Sequence, residues 1–120
     1  MPAVLIIIVA ILFSVTGQIF LKTGLNIMGP IDFSSGFILT YFKIFLSPYV
    51  MVGVFTYVLS VLFWVYALSK VDLSFAYPFV ALSYVLILVT SKLFLGETIP
   101  MIRWIGVFVI CIGVILISRS

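Results

Sequence analysis

Ser14, Gln18 and Lys22 stand four residues apart in an otherwise largely apolar run, Ala-Ile-Leu-Phe-Ser-Val-Thr-Gly-Gln-Ile-Phe-Leu-Lys, residues 10–22. Four residues is slightly more than one helical turn, so the three side chains share a helix face and span about 12 Å along its axis. A glutamine on so apolar a helix needs a partner or water, because desolvating an unpaired amide is costly. A hydroxyl and an amide can grip an uncharged polar ligand, and a lysine beyond them can meet a phosphate. Taken alone, Lys22 also reads as a lysine that snorkels to a membrane surface.

Two further stripes have helical spacing. Tyr57, Ser60 and Trp64 form one, and Ser74, Tyr77, Tyr84 and Ser91 the other. Intervals of three, four and seven put each set on one face. Together with Ser14 and Gln18 they predict a polar, aromatic groove that binds substrate. The alternative is that the serines mediate helix packing while Tyr and Trp mark membrane interfaces. Pro78 removes an amide and crowds the carbonyl of Ser74, so a kink is expected there, acting as a hinge or shaping a static bundle. Gly106 and Gly113 lie two turns apart and form a smooth ridge for dimerisation or for packing within the monomer.

The chain contains no histidine and one cysteine, Cys111, and its three acids, Asp32, Asp72 and Glu97, fall outside the long apolar runs. No nucleophile with a base and no metal cage can be assembled from these residues within the apolar runs. The expectation is no enzyme, no catalytic residue, no metal and no cofactor. Proton coupling through a membrane carboxylate has no candidate either.

The elements that carry these residues follow from composition. Of 120 residues 66% are hydrophobic and 8% charged, too few polar groups to clothe a water-soluble domain. The fold class predicted is an all-α integral membrane protein, one domain over residues 1–120, with four transmembrane helices in a compact bundle. The spans are expected at about 3–22, 49–69, 73–94 and 101–118, each near the 20 residues that cross a hydrocarbon core. The first is read as a retained helix rather than a cleaved signal, since no basic leader precedes it.

Ser47-Pro48, Asp72 and Pro100 supply start signals for the later spans. Between the first two spans, Gly36, Thr40, Lys43 and Ser47 share a face. A short interfacial helix over about 33–46 is predicted, with a plain loop as the alternative. The net charge of +3 comes from six basic and three acidic residues without a basic cluster, which argues against a nucleic-acid partner. The charges give only a slight orientation bias, favouring the first and third connections in the cytoplasm. The localisation expected is a cell membrane, crossed several times.

With these residues in place, the chain resembles the drug/metabolite transporter superfamily, of EamA-like and small multidrug resistance-like type, over nearly its whole length. The matches are Ser-Val-x-Gly-Gln at residues 14–18 with Lys22, Val-Asp-Leu-Ser-Phe-Ala-Tyr-Pro at 71–78, Leu95-Gly96-Glu97, and Arg103-Trp104-Ile105-Gly106 with Gly113. Its length is similar to that of the four-helix small multidrug resistance proteins, a resemblance that implies a dimer and alternating access. It departs from them at Ser14, where they hold an essential glutamate, and at Val80, where they hold a tryptophan; their substrate-contacting tyrosine is matched by Tyr77.

Ser14 to Gln18 and Ala76-Tyr77-Pro78 look instead like the branch containing the aminoarabinose-phosphoundecaprenol flippase subunits. That resemblance implies passage of a polyprenyl-phosphate-linked sugar between leaflets, with a homodimer or a heterodimer of related four-helix subunits in the bilayer. Two other readings remain open: an exporter of small amphipathic compounds, and a non-transporting membrane subunit of a glycan-assembly complex.

Overall fold

The computed structural model describes residues 2–119, and all regular structure among them is helical. Helix α1 runs Ala3–Met28, α2 Phe37–Phe45, α3 Pro48–Leu68, α4 Leu73–Ala76, α5 Leu82–Phe94 and α6 Met101–Ser118, with a 3-10 segment, Tyr77–Ala81, joining α4 to α5. Four stretches are long and apolar enough to cross a membrane: α1, α3, the composite Leu73–Phe94, and α6. The chain is an all-α, multi-pass membrane protein.

The 26 residues of α1 extend about 39 Å, longer than a hydrocarbon core of about 30 Å, so its ends reach the headgroup zone. It stops at Gly29, whose φ of 80° terminates the helix cheaply, and Pro30 follows. Pro48 occupies the first turn of α3, where its missing amide costs nothing, with Ser47 at the cap position. Asp72 and Pro100 hold the cap positions of α4 and α6, and none of these caps makes a side-chain hydrogen bond.

The most extensive helix pair is α1 against α3, and glycine sets its spacing. A Cβ added to Gly17 would lie 2.7 Å from the Gly53 carbonyl oxygen, and one added to Gly53 would lie 2.7 Å from that of Gly17. One turn pair further along, a Cβ on Gly24 would meet Val50 Cγ2 at 2.9 Å. Such closeness matters in lipid, where helices associate by packing rather than by escape from water. The core beside this seam comprises Ile6, Ile7, Ile11, Val15, Ala67, Ala76, Phe79 and Val114.

The hydroxyls of Thr16, Thr23, Thr56 and Thr90 donate to the carbonyls four residues back, at 2.6–2.8 Å. They are thereby satisfied inside their own helices. The bundle is a slab, 51 × 36 × 22 Å, about two helix diameters thick. Helix α6 is the least buried of the four spans: it touches α5 and the 3-10 segment, and Val114 is its one buried residue among those described. Lys92 near the end of α5 sits with Nζ 5.8 Å from the centroid of the Trp104 ring on α6, a cation–π contact beside the α5–α6 turn.

Candidate functional site

Ser14 and Gln18, one turn apart on α1, open onto a cavity of about 220 Å³ at the joint of three membrane-crossing stretches. Ala10 and Ile11 complete the α1 wall. Helix α3 supplies Tyr57, Ser60, Val61 and Trp64, the 3-10 segment Tyr77 and Val80, and α5 Ser83. The α1–α3 seam explains the position: Gly17 faces α3, so residues 14 and 18 flank the contact and border the space the third span leaves open.

The lining carries hydrogen-bonding groups without formal charge. Ser60 is buried and donates to the Tyr57 carbonyl at 2.6 Å, so its hydroxyl is already satisfied. Gln18 Nε2 reaches Ser14 Oγ at 3.5 Å, a contact at the weak limit, which leaves most of the amide's capacity available. Trp64 and Tyr77 meet edge to face, ring centroids 6.2 Å apart at 65°, which fixes an aromatic corner on the cavity wall. Aromatic planes beside neutral donors and acceptors suit a polar ligand that carries C–H faces as well as hydroxyls.

Ser14 and Gln18 of the first stripe, the whole second stripe Tyr57, Ser60 and Trp64, and Tyr77 of the third line one space, while Ser74 and Ser91 lie outside it. Lys22 is exposed and lies outside the lining, one helical turn beyond Gln18. Tyr84 is also exposed and outside it, and in its place stands Ser83, which is 8% exposed. The 3-10 winding accounts for this exchange. Five residues turned by about 120° each instead of about 100° advance the helix by an extra 100° or so, one residue's worth of rotation. A face counted at a constant 3.6 residues per turn thus arrives at 84 where the chain presents 83. Pro78 sits in this segment, where its missing amide favours departure from α winding.

Gly106 and Gly113 face open space: nothing lies within 4 Å of an added Cβ at either. Their ridge is thus turned away from the monomer. Val80 lines the cavity.

A family model described as the EamA-like transporter family matches residues 1–119. The chain is 33% identical over 118 residues to the uncharacterized protein y4nH of Sinorhizobium fredii, covering 98% of this chain and 95% of that one. It is 38% identical over 72 residues to the probable 4-amino-4-deoxy-L-arabinose-phosphoundecaprenol flippase subunit ArnE of Aeromonas hydrophila, 60% of this chain and 63% of the relative. With the corresponding subunit ArnF of Photorhabdus laumondii the identity is 42% over 72 residues, 58% of this chain and 57% of the other. These flippase subunits are thus matched over somewhat less than two thirds of their length. No solved structure matches.

The four spans and these bacterial relatives identify a multi-pass protein of the bacterial inner membrane. The family is one of transporters. The chain belongs to the EamA-like transporter family.

Proposed function

We propose that this chain is a subunit of a flippase that moves a sugar carried on a polyprenyl phosphate from one leaflet to the other. The observation that carries the reading is the uncharged, aromatic-cornered cavity between α1, α3 and the broken third span. The ArnE and ArnF relatives, named as probable 4-amino-4-deoxy-L-arabinose-phosphoundecaprenol flippase subunits, support the substrate class. In this reading Ser14, Gln18 and Tyr77 hydrogen-bond the sugar, while Tyr57, Ser60, Trp64 and Tyr84 form the groove or its approach. Lys22, one turn beyond Gln18, meets the phosphate as a point charge. The polyprenyl tail stays in lipid, so the protein carries only the headgroup past the hydrocarbon.

Pro78 acts as the hinge of the broken span. A second four-helix subunit, identical or related, packs on the open ridge of Gly106 and Gly113, where backbones can approach closely.

The test is headgroup translocation of a fluorescent sugar-phosphate polyprenol in proteoliposomes. Gln18→Leu and Lys22→Ala each lower the rate about tenfold or more, the loss expected when a hydrogen bond to a polar or charged headgroup is removed. Circular dichroism is unchanged in both. Undiminished flipping in both variants refutes the assignment.

A further inference from the structure

Helix α2 carries a surface that the transport reading does not use. Phe33, Phe37, Tyr41 and Phe45 form an aromatic ladder, with successive ring centroids 5.9, 4.8 and 6.4 Å apart. All four rings are exposed, and the neighbouring Ile38 is 83% exposed. The helix is nevertheless firmly built. Asp32 accepts from the backbone N–H and the hydroxyl of Ser34, both at 3.0 Å. The Thr40 hydroxyl reaches the Gly36 carbonyl at 2.8 Å and the Asp32 carbonyl at 3.2 Å. Thr40 and Ile44 are its buried residues, on the side packed against α3.

At about 100° per residue, Phe37, Ile38, Tyr41 and Phe45 fall within an arc of about 100°, and Lys43 lies almost diametrically opposite. The buried pair, Thr40 and Ile44, sits between these two faces, roughly a right angle from each. One side of α2 therefore meets protein, while the rest is largely apolar and exposed, the aromatic arc continuing through Phe42 and Leu39 up to Lys43, the cation of this helix.

We propose that α2 lies in the membrane interface, with its Phe37–Ile38–Tyr41–Phe45 face in the headgroup–acyl boundary and Lys43 in water. The partner of this surface is the bilayer itself. Position argues for lipid. Eight residues separate it from the end of α1 and two from the start of α3, so both of its ends are tethered to membrane-crossing helices. Aromatic rings concentrate at the headgroup–acyl boundary, and a lysine on the opposite face completes an interfacial helix.

The test places nitroxide labels on single cysteines in a Cys111→Ser background, in vesicles of phosphatidylethanolamine and phosphatidylglycerol. Ile38→Cys is expected to collide with oxygen and to be shielded from a water-soluble nickel complex, while Lys43→Cys shows the reverse. Phe45→Cys, on the same arc as Ile38, repeats the reading should Ile38→Cys misfold. Nickel access at both faces overturns the proposal in favour of a solvated helix. Exclusion of both probes at Ile38 and Phe45 overturns it in favour of a protein partner or a second copy.

Discussion

Gly17 and Gly53 are mutual contacts: each would drive an added Cβ to 2.7 Å from the other's carbonyl oxygen. This single crossing brings α1 and α3 together at backbone distance and so determines how far Ser14 and Gln18 stand from Tyr57 and Ser60.

Replacing either glycine has a defined outcome. Gly17→Ala and Gly53→Ala force the helices apart against backbone atoms and lower stability by about 1–3 kcal/mol, the usual cost of overpacking. Thermal unfolding in detergent reads the effect. Gly106→Ala and Gly113→Ala, with open space around them, leave monomer stability within about 0.5 kcal/mol. If their ridge binds a second subunit, those two variants weaken subunit cross-linking instead.

Ser83 separates the observed cavity from the one that even helical spacing predicts. Ser83→Leu fills the space and abolishes headgroup translocation, and Ser83→Ala lowers it about threefold to tenfold through one lost neutral hydrogen bond. Tyr84→Leu changes it by no more than about twofold. Equal losses at 83 and 84 contradict the one-residue rotation of α5.

Pro78→Ala restores the missing amide and permits α winding through residues 77–81. The expected result is retained helicity by circular dichroism with reduced translocation, because α5 rotates Ser83 away from the cavity. Unchanged transport argues that the break has no part in shaping the site.

Among the described residues, no carboxylate, imidazole or amine lines the cavity. Translocation measured in proteoliposomes is accordingly flat between about pH 6 and 8, where only groups such as histidine or strongly shifted acids and amines change charge. A steep rise or fall across that window indicates a titrating group in the pathway and disfavours a neutral headgroup site.

The sequence exposed much of this molecule because lipid imposes a simple rule: long apolar runs must be helices. On α1 and α3, which are regular throughout, constant spacing carried Ser14, Gln18, Tyr57, Ser60 and Trp64 to the same space. It pointed to Tyr84 where the cavity has Ser83, because winding changes at Tyr77–Ala81 and one proline signals a break without specifying its geometry. The Gly17–Gly53 crossing was hidden for another reason. A close approach depends on the register of two helices, and neither sequence segment records its neighbour's register. Lys22 could be placed at the end of its stripe, yet its separation from the cavity required the positions of the surrounding walls.

The 3-10 segment also bears on how much length variation the third span can absorb. Its five residues rotate the chain by about 600° over about 10 Å, and an α-helix achieves about the same rotation over about 9 Å with six. One inserted residue can therefore be taken up by a change of winding, with α5 keeping its orientation toward the cavity. The same insertion in α1 or α3, already wound as α-helix, would turn every residue beyond it by about 100°. Of the three walls around the cavity, the broken one is thus the most forgiving of insertion.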